Sequence, residues 1–454
     1  MTMRVSEETT VREVAEALMA RAADLSHLNI FITQDKTVIR AAADALDAVP
    51  AGGPLHGVAF CVKDNTDTAA MPTTGGTPAF KDWRPSANAP VVQSLVDAGG
   101  LMIGKTNLHE LAFGISCNNP TFGAVGNPYN ATMIPGGSSG GTAAAVVAGL
   151  ATVGLGTDTG GSCRIPAALC GCVGFRPTIA RYAQAGIIPL SSTRDTAGPL
   201  ARTVDDVILL DLIIAPESHE NRPVSLDGLR IGVPRTHFYS ALDSQLAAVV
   251  ESALDTLGNA GANLIEVNLT GVAELNDAVG FPIVLYEVLR EIAAYIDRHG
   301  GGLTVADVVA QVAGGFEKDM LASQLGDDAI PEAVYRQALT EGRPKLIAAY
   351  ETYFSANAVV AMVVPTTPLP ARPIGHDETV ALNGEQVPTF PTYIRNTDPP
   401  SNAGLPCLSV PAGLTADGLP VGIEFVGAAG ADATVLGIGR AYEAVRDPIP
   451  TPDL

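Results

Sequence analysis

Apolar residues recur at helical spacing through residues 9–25 and again through 38–48, which predicts two amphipathic helices early in the chain. A short, uninterrupted apolar run at 58–62 predicts a buried strand ending at Lys63-Asp64-Asn65. Asn88-Ala89-Pro90 opens a helix reaching about Asp97, with proline where its missing N–H does no harm. Residues 101–103 read as a buried strand, 142–150 as a helix of small side chains, and 152–155 as a further strand. Strands alternating with helices predict an α/β fold: a mixed, largely parallel central sheet with helices on both faces.

The pattern changes after residue 229. Strands are expected at 229–233 and 263–267, a helix at 244–257, and longer, charge-bearing helices at 273–299 and 332–354. Residues 359–364 form a strong strand signal ending in Pro365-Thr366-Thr367-Pro368. Residues 407–410 and 419–426, joined through a turn at Asp417-Gly418, predict an antiparallel hairpin. No internal repeat or low-complexity linker divides the chain. A single domain over 1–454 is expected, with its core at about 55–205, a helical insertion at about 230–355, and C-terminal strands and a helix over 356–454.

Composition narrows the class. The 454 residues are 47% hydrophobic, enough for a large core. Lys and Arg number 27 against 48 Asp and Glu, a net charge of −21. Such an acidic chain has no electrostatic footprint for nucleic acid and is repelled by anionic membranes, so neither partner is expected. Residues 1–25 carry Glu7, Glu8, Glu13 and Asp24 with no apolar leader core, and the apolar stretch 143–156 is too short to span a bilayer. Six cysteines, at 61, 117, 163, 170, 172 and 407, make no disulfide framework. Cys170-Gly171-Cys172 lacks metal-ligand spacing and reads as small buried thiols. A reducing, cytoplasmic setting is expected.

The chemistry concentrates in two glycine-framed serines and one lysine. The first cluster is Pro135-Gly136-Gly137-Ser138-Ser139-Gly140-Gly141-Thr142, and the second is Gly156-Thr157-Asp158-Thr159-Gly160-Gly161-Ser162-Cys163-Arg164. Glycines around a serine let substrate and backbone approach closely, and they free N–H groups to converge on a developing oxyanion. With Lys63, the serines supply a nucleophile, a relay and a base without histidine, which points to acyl transfer. A phosphate loop is excluded because no lysine precedes Thr142, and His109-Glu110 has Phe113 where a zinc motif needs histidine. Gly137-Ser138-Ser139-Gly140-Gly141 also matches G-x-S-x-G, which would make Ser139 a nucleophile. That reading needs a downstream histidine, and His219, His237, His299 and His376 carry no supporting pattern. It leaves Lys63 and Ser162 unexplained.

From residue 55 to 205 the chain closely resembles the amidase signature family. The resemblance rests on Gly57-Val58, Val62-Lys63-Asp64-Asn65, Gly104-Lys105-Thr106-Asn107, Asn127-Pro128, both serine clusters, Arg164-Ile165-Pro166-Ala167, Gly174-Phe175-Arg176-Pro177 and Asp195-Thr196-Ala197-Gly198-Pro199. Ile394-Arg395-Asn396-Thr397-Asp398 and Ser401-Asn402-Ala403-Gly404-Leu405-Pro406 look more particularly like mandelamide and indoleacetamide hydrolases. Cys163 departs from the Ile or Val usual after the nucleophile.

The resemblance implies Ser162 as nucleophile, Ser138 as bridging serine after a cis peptide, and Lys63 as base. It implies an oxyanion hole from the N–H groups of Thr159, Gly160, Gly161 and Ser162. Thr157, Asp158 and Arg164 would hold that loop, in the service of catalysis or of the fold. Phe113, Ile115, Gly136 and Gly137 would contact substrate beside the 396–405 loop, with the 230–355 insertion shaping the pocket. A metal-independent hydrolase of small, aryl-substituted primary amides is expected, without cofactor and, from the family alone, as a homodimer. Two alternatives stay open: cleavage of an ester, carbamate or aryl acylamide at the same site, and a glutaminase-like subunit of a tRNA-dependent amidotransferase.

Overall fold

The computed structural model describes residues 9–216 and 223–454; Glu7, Glu8 and His219 lie outside them. Eleven strands form one sheet: β1 (Phe31–Thr33), β2 (Ala59–Lys63), β3 (Leu101–Thr106), β4 (Val153–Asp158), β5 (Val173–Arg176), β6 (Thr196–Ala201), β7 (Arg230–Val233), β8 (Asn263–Glu266), β9 (Ala361–Pro365), β10 (Cys407–Leu414) and β11 (Pro420–Gly427). Their order across the sheet is β1-β3-β2-β4-β6-β5-β10-β11-β9-β7-β8.

The sheet is mixed, as expected, but parallel pairing is the minority. β2 runs parallel to β3 and β4, and β7 runs parallel to β8 and β9. Every pairing from β4 through β6, β5, β10 and β11 to β9 is antiparallel, as is β1 with β3. Tight connections dictate this: the Asp417-Gly418 turn folds β11 straight back along β10, and only crossovers through helices permit parallel neighbours.

β2 shows why its apolar run is continuous. Phe60 and Val62 enter a core shared with helices Pro90–Asp97 and Val204–Ile214. Ala59 and Cys61 point the other way, into a core shared with helices Val11–Asp24 and Lys36–Asp47. Period-two alternation thus feeds two buried faces, and each large side chain so covered contributes roughly 2 kcal/mol. Thr10 and Asp35 start the two early helices by accepting N–H bonds from Glu13, and from Thr37 and Val38.

Two expected long helices are each interrupted. Residues 273–299 form Val272–Asp277 and Gly280–Arg298, and residues 332–354 form Glu332–Gln337, a π turn and Arg343–Asn357. Pro282 and Pro344 sit in the first turns of the second segments, where the ring blocks continuation of the preceding helix. The break before Gly280 brings that helix start to the functional cavity.

Candidate active site

Lys63 is the last residue of β2, and the second serine loop leaves the C-terminal end of β4, its parallel neighbour. Crevices beyond the carboxyl ends of parallel strands are where α/β sheets gather function. Lys63 has no solvent exposure, and its Nζ lies 2.7 Å from Ser138 Oγ and 2.7 Å from Thr157 Oγ1. Asn65 Nδ2 also donates to Thr157 Oγ1, at 3.1 Å. The Gly137–Ser138 peptide is cis.

Burial pushes the Lys63 ammonium down from its ordinary value to about 8, while Cys163, Cys117, Asp158 and Asp195 pull it back up. A second buried lysine makes the contrast. Lys105 Nζ lies 2.9 Å from Asp64 Oδ1 and donates to Pro72 O and Thr73 Oγ1. Lys105 therefore has a carboxylate in direct contact, whereas Lys63 touches only hydroxyls and a carbonyl. Of the two, Lys63 is the one built to exist neutral.

The serine loops are joined by Ser139 N–H donating to Ser162 O at 3.1 Å. Ser138 and Ser139 are fully buried, but Ser162 keeps 8% exposure and lines a cavity. Among the described residues Ser162 Oγ takes no hydrogen bond, to Ser138 or any other group. Such contacts are often loose before substrate arrives.

Asp158 fixes the loop. Its carboxylate accepts from the N–H of Gly161 at 2.9 Å and of Cys163 at 3.1 Å. Arg164 grips it with both Nε and Nη2 at 3.0 Å, and Arg176 Nη1 adds another 3.0 Å contact. Burial alone would raise its pKa, but the two guanidiniums overcome this and hold it well below the usual carboxylate range. Arg164 reaches on to Glu424 Oε1 at 2.7 Å, tying the loop to β11. Thr159 Oγ1 donates to Asp195 Oδ1 at 2.6 Å, and Thr397 Oγ1 donates to Gly160 O at 2.7 Å. Gly161 needs its glycine: φ is 141°, and a Cβ there would collide with Thr397 Oγ1. Asp158→Ala would leave two buried guanidiniums short of their shared counter-charge. Urea unfolding is expected to show a loss of about 3–5 kcal/mol.

A partly open cavity lies above Ser162. Phe113 and Ile115 line it, with Thr159, Gly160 and Gly161 on its floor. Gly136 and Gly137 are not on its wall. They pack backbone to backbone, where a Cβ would stand 2.9 Å from Pro166 Cα and 2.8 Å from the Ile115 carbonyl carbon. The remaining wall comes from distant segments: Leu190, Arg194, Phe281, Val284, Phe390 and Ile394, with Asp398. The Phe281 and Phe316 rings stand 6.2 and 5.7 Å from the Phe390 ring.

A protein-family model described as Amidase matches residues 13–436. The indoleacetamide hydrolase of Allorhizobium ampelinum is 43% identical over 95% of this chain and 94% of its own length. The mandelamide hydrolase of Pseudomonas putida is 39% identical over 98% of this chain and 90% of its own. A crystal structure of an amidase superposes with a TM-score of 0.86 at 34% identity, covering 97% of both chains. The chain belongs to the amidase signature family. It is an amide hydrolase.

Within this amidase, the rival motifs have other work. Ser139 Oγ donates to Thr157 O at 3.1 Å and accepts from Thr157 N at 3.3 Å, so it braces β4 rather than facing the cavity. His109 pairs with Glu317, His237 approaches Arg395 O at 3.4 Å, and His299 meets Asp67 at 2.9 Å. Among the described residues no histidine bonds to Ser138, Ser139 or Ser162, and no cluster of His, Cys, Asp and Glu suits a metal ion. All six cysteines are free and buried. Among the described residues no helix is long and apolar enough to cross a membrane.

Folding brings one charged pair to the wall beside Phe113 and Ile115, Arg194 with Asp398. In the sequence Asp398 belongs to the Ile394–Asp398 stretch of the resemblance and has no role of its own.

Proposed function

We propose that this amidase hydrolyses small aryl-substituted primary amides, of the arylacetamide type, through an acyl-enzyme on Ser162. The observation that carries the mechanism is Lys63, buried without a touching carboxylate and 2.7 Å from Ser138 Oγ. In this reading neutral Lys63 takes the Ser138 proton, and Ser138 takes that of Ser162 as its Oγ attacks the carbonyl carbon. Negative charge developing on the carbonyl oxygen is met by the N–H groups of Thr159, Gly160 and Ser162; that of Gly161, expected to join them, is instead held by the Asp158 carboxylate. The relay then returns the proton to the departing nitrogen, and ammonia leaves. Water deacylates Ser162 by the same route, giving the carboxylic acid.

The aryl preference rests on the cavity wall. Phe113, Ile115, Phe281, Val284, Phe390 and Ile394 are all apolar, and a ring enclosed by them gains on the order of 2–3 kcal/mol from burial. The indoleacetamide and mandelamide hydrolases share this chain over nearly its whole length, which supports the same class of acyl group. A free glutamine would bring an ammonium and a carboxylate against this largely apolar wall, where the carboxylate would find Arg194 already held by Asp398 and Gly280 O. Comparing kcat/KM for phenylacetamide, mandelamide, indoleacetamide, acetamide and glutamine tests the reading. Aryl amides are expected to lead acetamide by at least about tenfold, the low end of what such burial supplies; a preference for glutamine, or parity with acetamide, overturns it.

The pH profile follows from the base. Only neutral Lys63 accepts a proton, so kcat/KM is expected to rise through about pH 8 and then level off. A rate already level at about pH 5 would assign the base to a carboxylate. The six unpaired thiols suit a reducing, cytoplasmic setting. Sedimentation of the pure protein tests the homodimer that the family suggests.

A further inference from the structure

One carboxylate borders the cavity that the acyl-transfer chemistry leaves unused. Asp398 sits in helix Asp398–Asn402, beside the oxyanion loop: a Cβ built on Gly160 would stand 2.9 Å from its Oδ1 and 3.4 Å from Arg194 Nη2. Its other oxygen, Oδ2, is spoken for by two amides, Asn276 Nδ2 and Asn402 Nδ2, each at 2.9 Å. Oδ1 takes one donor, Arg194 Nη2. A carboxylate oxygen accepts two, so Oδ1 keeps an open acceptor site on the side of the 159–162 loop.

Arg194 is itself a clamp. Nη1 donates to Gly280 O at 3.0 Å, and its main-chain oxygen accepts from Arg176 Nη2 at 2.7 Å. Arg194 is 3% exposed, so the pair is fixed against both the loop and the start of helix Gly280–Arg298. Two asparagines and an arginine hold one carboxylate in a single orientation, next to the atoms that receive the carbonyl. Fold stability alone does not call for this ion pair at the cavity wall, since an apolar pair in place of Arg194 and Asp398 would avoid desolvating two charges.

A carbonyl carbon held by that loop has two substituents. In phenylacetamide and indoleacetamide the carbon side is a methylene without hydrogen-bonding capacity, whereas the nitrogen carries two N–H donors. An acceptor fixed beside the loop has only the nitrogen side to serve. We propose that Asp398 Oδ1 accepts an N–H of the substrate carboxamide and thereby selects amides over esters. Arg194 acts through Asp398 as a positioning residue. The bond orients the nitrogen before attack and is kept as that nitrogen turns from planar amide to leaving amine, while the Ser138–Lys63 relay still delivers its proton. An ester oxygen has no hydrogen to offer and meets Asp398 oxygen to oxygen.

This inference rests on the amide-hydrolase reading of the Ser162 site, and the test separates the two. The full-length wild type, Asp398→Asn, and the double variant Arg194→Met with Asp398→Leu are assayed on phenylacetamide and on methyl phenylacetate. The double variant removes both charges together, so no buried ion is stranded. Labelling of Ser162 by a small fluorophosphonate reports whether the fold and nucleophile are intact. The double variant is expected to lose roughly 30-fold or more in kcat/KM on the amide, the scale of one hydrogen bond to a charged group, and Asp398→Asn, whose amide oxygen still accepts but carries no charge, a smaller part of that. Ester turnover and labelling rate should stay within about threefold, so the amide-to-ester ratio collapses. A merely structural pair would lower amide, ester and labelling together; that result, or an unchanged ratio, overturns the proposal. Wild type that is labelled but cleaves neither substrate overturns the arylacetamide reading, and the inference with it.

Discussion

Ser162→Ala is expected to abolish fluorophosphonate labelling and to lower kcat on aryl amides by roughly 10⁵–10⁶, to background. Ser162 is the one serine of the two clusters that lines the cavity, and its Oγ is free of other partners among the described residues. Its main chain is also set by the grip of Asp158 on the N–H groups of Gly161 and Cys163 on either side. Because Ala removes only an oxygen, thermal stability should be nearly unchanged. Substrate should still bind, which isothermal titration with phenylacetamide would register. The control is Ser139→Ala. That hydroxyl bonds the Thr157 main chain in both directions, so its loss should cost about 1–2 kcal/mol in stability and leave labelling intact. Labelling that survives Ser162→Ala but vanishes in Ser139→Ala would reverse the assignment.

The parts of this site that could be read in the sequence are those carried by a single short segment. Glycine-framed turns at strand ends are local features, and the apolar run before Lys63 marks the strand that delivers it. The cavity wall is different. Arg194, Phe281, Phe390 and Asp398 come from four separate segments, and each reads alone as an ordinary buried or surface residue. Only the packing of helix Gly280–Arg298 over the loop turns them into one surface. The unforeseen strands have equally physical reasons. β6 contains Gly198 and Pro199, residues that argue against a central strand, yet β5 pairs only with Leu200 and Ala201, so the proline interrupts no bond to β5. β5 is four residues long, and a Cβ at Gly174 would stand 2.5 Å from Cys163 O. Its glycine answers to a neighbouring loop, a tertiary demand that periodicity does not carry.

Replacing Lys63 by methionine should give an enzyme that is nearly inactive and, at neutral pH, more stable relative to wild type than it is at alkaline pH. The activity loss is about 10³–10⁴ in kcat, since the same amine takes the proton in one half of the cycle and returns it in the other. The stability effect follows from the lowered pKa. Below about pH 8 the ammonium is charged in both the folded and unfolded chain, and the folded state bears the full cost of burying it. Between about pH 8 and the model-peptide value of 10.5 the unfolded chain still binds the proton that the folded chain has lost, so wild-type stability climbs with pH. A thioether has no proton to lose, and the curve of the Lys63→Met variant stays flat over that window. The advantage of Lys63→Met should therefore shrink by on the order of 3 kcal/mol across it, from the size of the shift. Lost bonds to Ser138 and Thr157 offset this at every pH and do not alter the slope. Urea melts of both proteins at about pH 7, 8.5 and 10, spanning the two pKa values, measure it. Parallel curves would mean that Lys63 is not held near neutrality, and the proton relay through Ser138 would lose its base.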